Sequence, residues 1–117
     1  MGYYTHYSLE VHGIKNAEEH ASLRDFIGSN SYNYCFQEDE MDVYESEAYF
    51  ASEDECKWYD HEKDMINLSK QFPDVIFCLE GDGEERGDMW RRYFHNGIVE
   101  FCPAYISYPS PKTIMWN

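Results

Sequence analysis

The sequence predicts an α+β domain in which two helices cover an antiparallel sheet of about five to six strands. Apolar and polar residues alternate over Tyr3–His12, which is typical of a strand with one buried face. Two later segments combine helical spacing with helix-start residues, and Asn96-Gly97 is the dipeptide most typical of a tight hairpin turn. The chain has 117 residues, of which 43% are hydrophobic and 18% aromatic, enough for one packed domain.

The segment after the first strand predicts a helix and two more strands. Asn16 provides an N-cap for a helix over about Ala17–Ile27, and Gly28 is expected to end it. Alternating aromatic residues predict a second strand over Ser31–Gln37 and a third over Val43–Ala51.

A second helix is predicted from a capping box. Ser52 and Glu55 have the spacing that satisfies free amides at a helix start, and three acidic residues there favour the positive end of the helix dipole. The helix is expected to run to about Gln71, with one apolar stripe formed by Trp58, Met65, Leu68 and Phe72.

The remaining strands complete the fold prediction. They are Val75–Glu80, Asp88–Phe94 and Ile98–Cys102. The order strand, helix, strand, strand, helix, strand is that of the ferredoxin-like two-layer sandwich, here with an added C-terminal hairpin. We expect one domain over residues 1–108, with Ala104–Tyr108 as an edge extension, and a short extended tail over residues 109–117.

The net charge of −14 lies in two segments of the chain. Residues 38–64 contribute −10 and residues 80–88 contribute −4, while the other residues balance. Such a charge excludes direct binding to nucleic acid or to anionic membranes through a basic patch. Selection for solubility alone explains one acidic cluster. Like charges concentrated within a Debye length repel each other more strongly than charges spread over the surface, and this repulsion opposes folding, so two such clusters indicate a functional role.

We therefore expect these segments and their interleaved tyrosines to bind a partner protein. The predicted partner-binding residues are Glu38, Asp39, Glu40, Asp42, Tyr44, Glu45, Glu47, Tyr49, Glu53, Asp54, Asp82, Glu84 and Glu85. Their carboxylates would take the place of phosphates on a basic, nucleic-acid-binding groove.

The sequence predicts no catalytic residues, no metal site and no cofactor. The four cysteines stand singly and lack the paired spacing of zinc or redox sites, and the histidines share no ligand spacing with them. The Gly81–Gly87 loop is acidic but lacks the spacing of a calcium-binding EF-hand, so a flexible hairpin loop is the favoured interpretation. Arg91 and Arg92 are expected to pair across the hairpin with Glu100.

The chain shows no signal-peptide pattern and no apolar run long enough for a membrane helix. We expect a protein of the cytoplasm, where single cysteines usually stay reduced and behave as small buried hydrophobes.

Several residues between Trp58 and Gly97 resemble one group of proteins. They are Trp58, Leu68-Ser69, Phe72-Pro73-Asp74, Phe77, the glycine-rich acidic run Gly81–Asp88, Trp90 and Tyr93-Phe94 with Asn96-Gly97. Together with the opening Tyr3–Val11 segment, this pattern resembles small phage and prophage proteins of ferredoxin-like fold. The resemblance implies a fold and a phage setting, hence a bacterial host cytoplasm, and brings no established activity.

The expected function is that of a phage-encoded inhibitor of a host defence nuclease of CRISPR or restriction type, acting by acidic nucleic-acid mimicry. An alternative is a domain that binds or degrades a defence nucleotide signal, which would need a cationic pocket from Arg86, Arg91, Arg92 and Lys57. A further alternative is a minor phage structural protein or homodimer that pairs through the exposed edge at Ala104–Tyr108.

Overall fold

The computed structural model describes residues 3–30, 42–44, 47–51 and 56–115, with only the backbone of residues 30, 42–44 and 51. These residues form six strands and two helices. In chain order they are β1 (Thr5–His12), α1 (Ala17–Asn30), β2 (Asp42–Tyr44), β3 (Glu47–Ala51), α2 (His61–Gln71), β4 (Ile76–Gly83), β5 (Met89–His95) and β6 (Ile98–Pro103).

The six strands form one sheet with the order β2-β3-β1-β4-β5-β6. Every neighbouring pair is antiparallel. The first strand lies between β3 and β4, so Leu9 pairs with Phe50 on one side and with Leu79 on the other. The predicted α+β class, an antiparallel sheet with two helices, is confirmed.

The core lies between one sheet face and both helices. Alternate residues of β1, Tyr7, Leu9 and Val11, are buried, as the alternation predicts. From the helices, Leu23, Ile27, Met65 and Leu68 join the same apolar cluster. Because burying a large apolar side chain stabilises a fold by roughly 1.5–3 kcal/mol, this cluster fixes which sheet face the helices cover.

The predicted start of α1 is confirmed, and its predicted end is wrong. The amide of Glu19 donates to Asn16 Oδ1 over 2.9 Å, as an N-cap requires. The helix passes through Gly28 and ends at Asn30. Burial of Ile27 against the core holds the last turn in helical geometry, so the glycine before the final residues does not stop it.

The predicted start of the second helix is also wrong. Cys56 forms an isolated antiparallel bridge with Thr5, and α2 begins only at His61. Trp58 therefore precedes the helix instead of lying on its stripe, and it is buried with its indole Nε1 donating to Asp64 Oδ2 over 2.7 Å. Pairing with β1 and burial of the indole prevail over the local capping signal.

The predicted third strand, Val43–Ala51, is two strands. Asp42 pairs with Tyr49 and Tyr44 with Glu47, which makes β2 and β3 an antiparallel hairpin. The residues between them, Glu45-Ser46, lack the Asn-Gly signature of such turns. The sequence therefore predicts one unbroken strand where the structure has two. The predicted second strand, Ser31–Gln37, lies outside the described residues.

The C-terminal hairpin is confirmed. Asn96 and Gly97 have φ values of 45° and 83°, the left-handed conformations that a tight type I′ turn requires. The predicted edge extension at Ala104–Tyr108 is wrong, because only the amide of Ala104 continues the pairing, donating to Met89 O over 2.9 Å. Beyond Pro103 the described part of the chain has no assigned strand.

Candidate functional site

The helices leave one sheet face uncovered, and we call it the open face. Cross-strand pairing arranges its residues in rows: Tyr49, Glu10, Cys78, Tyr93 and Glu100 form one row, and Ser8, Glu80, Arg91 and Cys102 form the next. Glu47 pairs with His12 and Asp82 with His6 at opposite ends of β1.

The open face is acidic. Its described side chains include five carboxylates, those of Glu10, Glu47, Glu80, Asp82 and Glu100, and one guanidinium, that of Arg91, so its formal charge is −4 with neutral histidines. The side chains of Glu10 and Glu47 are more than half exposed, and that of Glu80 is 42% exposed. These carboxylates are therefore accessible to solvent, and the electrostatic potential over most of this face is negative.

The carboxylates form a diagonal band across β3, β1 and β4. His12 links the first two: its Nδ1 lies 3.3 Å from Glu47 Oε1 and its Nε2 3.5 Å from Glu10 Oε2. Glu10 pairs with Cys78, two residues before Glu80, so the two glutamates are diagonal neighbours about 7–8 Å apart at Cα. From Glu47 to Asp82 the band covers roughly 20 Å along β1, at about 3.3 Å per residue.

This band joins the two acidic segments that are separate in the sequence. Glu47 belongs to the first segment and Asp82 to the second, and β1 lies between their strands with Glu10. The sequence could not show this because Glu10 belongs to the part of the chain with balanced charge. Two acidic segments thus contribute to one continuous surface of the described residues.

The loop after β4 extends the band and also holds the N-terminal residues. The amide of Tyr4 donates to Glu84 Oε1 over 2.9 Å, and the hydroxyl of Tyr3 donates to the carboxylate of Asp88. The hydrogen bond to Asp88 raises the pKa of Tyr3. Glu84 therefore has a structural contact as well as its predicted binding role, while Asp82 and Glu85 remain exposed.

The structure describes part of the predicted partner-binding set. Glu47, Tyr49 and Asp82 lie on the open face, and Glu84 and Glu85 lie in the adjoining loop. Asp42 and Tyr44 are placed by their backbones only, opposite Tyr49 and Glu47. The other predicted residues, Glu38, Asp39, Glu40, Glu45, Glu53 and Asp54, lie outside the described residues.

Sequence reasoning missed three residues of this face. Glu10 and Glu80 carry the middle of the band, and Tyr93 lies between Cys78 and Glu100 with 37% of its surface exposed. The alternation of β1, which places Glu10 on the outward side, was the available signal. Combining it with the partner strands requires the register, which the sequence does not contain.

Arg91 and Arg92 are neighbours in β5 and lie on opposite faces of the sheet. Arg91 Nε lies 3.3 Å from Glu80 Oε1 on the open face, and hydrogen bonds to Tyr93 and Glu80 raise its pKa. Arg92 lies on the helix side, 3.8 Å from Glu62 Oε2. The predicted pairing of both arginines with Glu100 is wrong, because β5 pairs Glu100 with Tyr93 and the arginines find partners on β4 and α2.

On the helix side, Arg92 belongs to a packed aromatic cluster. Its guanidinium carbon lies 4.3 Å from the Trp90 ring centroid and 4.4 Å from that of Phe101. Arg92 Nη1 donates to His61 Nε2 over 2.9 Å, and His61 Nδ1 donates to Trp58 O over 2.8 Å. Burial lowers the pKa of His61 and so favours the neutral ring, in which one nitrogen donates to Trp58 O and the other accepts from Arg92. This arrangement stabilises the α2–β5 packing and gives both ring nitrogens of His61 a structural partner.

Cys78 lies in the middle of the open face but is buried, and burial raises the pKa of its thiol. A shallow pocket of about 390 Å³ lies towards the edge of this face. It is lined mainly by Glu80, Met89, Arg91, Tyr93, Cys102 and Ala104. Among the described residues, no group of three or more histidine, cysteine, aspartate or glutamate side chains could hold a metal ion.

Comparison with protein-family models, curated proteins and solved structures finds no match to this chain. Across the part of the chain that the structure describes, no helix is long and apolar enough to cross a membrane.

Proposed function

We propose that this protein is an acidic binding protein whose open face occupies the basic, nucleic-acid-binding surface of a partner protein. The observation that carries the proposal is the diagonal band, in which Glu10 connects carboxylates of two acidic segments across three strands. Binding is steric and electrostatic and needs no catalytic residue: carboxylates replace phosphates against lysine and arginine side chains of the partner.

The spacing within the band suits a joint electrostatic effect. Glu10 and Glu80 are about 7–8 Å apart, which is within the Debye length of about 8 Å at physiological salt. Their potentials therefore add at the surface, and a cationic groove meets one extended negative field. Such a field accelerates encounter and orients the partner.

Tyrosine and apolar side chains on the same face supply contact area. Tyr49 and Tyr93 are each 37% exposed, Met89 is 40% exposed and Ile76 is 46% exposed. Rigid amphipathic side chains between charges are the composition found at the centres of protein interfaces, and their burial slows dissociation.

The biological setting of the proposal rests on the resemblance to phage and prophage proteins. The strand order β2-β3-β1-β4, with α1 and α2 in the two crossovers, supports the ferredoxin-like assignment that this resemblance implies. In that setting the partner is a host defence nuclease of CRISPR or restriction type, and the inhibitor acts in the bacterial cytoplasm.

The geometry gives no support to a pocket for a defence nucleotide. Such a pocket would need several cations to converge, but Arg91 and Arg92 lie on opposite sheet faces. Arg91 is paired with Glu80, and Arg92 is packed between Trp90 and Phe101.

The test compares two variants with the same net charge. Glu10→Gln with Glu47→Gln removes two carboxylates from the band, and Glu18→Gln with Asp25→Asn removes two exposed carboxylates from α1. Immobilised wild-type protein is used to capture proteins from nuclease-treated bacterial lysate, and bound proteins are eluted with heparin, a polyanion. The dissociation constant of an eluted, purified nuclease is then measured for each variant.

We expect the band variant to bind about tenfold more weakly and the α1 variant to bind within about twofold of wild type. Raising salt from about 0.05 to 0.5 M should weaken wild-type binding by more than tenfold. Equal effects of the two variants, or binding that is insensitive to salt, would refute the proposal.

A further inference from the structure

The C-terminal part of the chain differs in charge from the rest. Residues 98–115 contain one acidic residue, Glu100, and one basic residue, Lys112, so this segment is neutral while the remaining residues carry the whole charge of −14. Two copies of this chain repel each other through their acidic segments, whereas contact through this segment brings together only one carboxylate from each copy.

The neutral segment includes a free sheet edge. Within the described sheet β6 is an outermost strand, with a neighbour on the β5 side only. The amide of Ala104 points to β5, where it donates to Met89 O, so Val99 and Phe101 direct their backbone groups to the opposite, outer side by alternation. Pro103 also lies at an outer position, where it offers a carbonyl but no amide.

Exposed apolar side chains belong to this edge strand and to the segment that follows it. Ile98 is 70% exposed, Phe101 51%, Tyr105 91% and Tyr108 78%. Ile106 and Met115 are also mostly exposed. Large exposed apolar groups on an edge strand of the described sheet and on the residues after it are typical of a surface that another polypeptide covers.

We propose that a second copy of this chain covers the edge, with β6 of one copy pairing antiparallel to β6 of the other across a two-fold axis. Isologous pairing needs only one self-complementary surface, and the neutral segment provides it. The pairing is independent of the acidic band, which lies on β3, β1 and β4.

Charge and Pro103 select the register of this pairing. Centring the axis on Phe101 places Glu100 of one copy opposite Cys102 of the other, whereas centring it between Val99 and Phe101 would place the two Glu100 carboxylates opposite each other. In the Phe101-centred register the outer amide of Val99 donates to the carbonyl of Pro103, so the missing proline amide costs little. About four backbone hydrogen bonds form in this way.

Sedimentation velocity tests the proposal on the full chain. We expect a species of twice 14.0 kDa whose dissociation constant falls at least about tenfold as salt rises from about 0.05 to 0.5 M, because salt screens the repulsion between two acidic chains. This salt dependence is opposite to that of binding through the acidic band, so the two proposals fail separately.

Two matched variants locate the interface. Ile98→Asp adds a carboxylate beside the edge, and Ile76→Asp adds one to an exposed isoleucine of β4 on the same face. The first should weaken the dimer about tenfold, while the second should change it by less than about threefold. Tyr105→Asp, in the exposed segment after β6, gives the same answer if Ile98→Asp does not fold. Monomers at ~0.1 mM protein in high salt, or equal effects of the Ile98 and Ile76 variants, would overturn the proposal.

Discussion

Arg92 Nη1 donates a hydrogen bond to Nε2 of His61 over 2.9 Å, and this bond requires His61 to be neutral. Protonation would place a second cation beside the guanidinium and remove the acceptor. The contact connects α2 to β5 and lies against Trp90, whose ring stacks on the imidazole at 5.0 Å. It therefore links the protonation of one side chain to the packing of a helix on the sheet.

Lowering the pH from about 7.5 to 5.5 should decrease the free energy of unfolding. Burial lowers the pKa of both His61 and His20 in the folded protein, so the unfolded chain binds more protons below its own histidine pKa of 6.5. The contribution of these two histidines to the free energy of unfolding is fully present above that pH and decreases as the pH falls below it. Urea unfolding at several pH values measures the slope, and His61→Gln should reduce it; an unchanged slope in that variant would contradict the assignment.

Asp64→Ala should destabilise the fold by about 1–3 kcal/mol, because it removes the carboxylate that accepts the hydrogen bond from the buried indole N–H of Trp58. Asp60→Ala provides the control: Asp60 precedes α2 and makes no side-chain capping hydrogen bond, so the cost should be below about 0.5 kcal/mol. Urea unfolding followed by tryptophan fluorescence measures both. Equal costs would mean that the indole contact contributes nothing.

Gly81→Ala and Gly28→Ala should have effects of opposite sign. A methyl group at Gly81 would overlap the Trp90 ring, so we expect a loss of about 1–3 kcal/mol or more. A methyl group at Gly28 meets nothing within 4 Å and lies inside α1, where alanine is favoured over glycine by about 0.5–1 kcal/mol. Thermal unfolding of the two variants should therefore shift in opposite directions, and a shift in the same direction would be inconsistent with these environments.

Cys78 should be alkylated by iodoacetamide more slowly than Cys56 or Cys102. Its thiol is buried, and burial raises its pKa, so both access and the thiolate fraction are reduced. Peptide-level mass spectrometry of native protein near neutral pH measures the three rates. A rate for Cys78 equal to that of Cys102 would show that the Cys78 thiol is accessible to the reagent in the native protein. Denatured protein, in which the three rates converge, provides the control.

Local signals in the sequence predicted local structure well. Asn16 caps α1 and Asn96-Gly97 forms the tight turn, because both depend on hydrogen bonds or φ angles within a few residues. Signals that compete with tertiary contacts failed: the Ser52–Glu55 capping box does not start α2, since Cys56 pairs with Thr5 and the chain turns into the helix only at His61.

In the candidate site, too, the sequence predicted the local features and did not predict those that depend on tertiary contacts. The acidic segments were visible as counts, and the outward position of Glu10 followed from alternation along β1. Their union into one band depends on β1 lying between β3 and β4, which is a long-range pairing. A single sequence specifies such a register only through the whole core, and so the role of Glu10 could not be predicted from it.

The position of β1 also constrains how the molecule folds. Thr5 pairs with Gly83, 78 residues later, so β1 gains its second neighbour only after the distant strand β4 has been synthesised. The loop between β1 and β4 must close before these two strands can pair, which makes folding slow. We expect folding to take milliseconds to seconds, as is typical of topologies dominated by distant contacts. Until then one edge of β1 is unpaired, and chaperones or aggregation compete for it during synthesis.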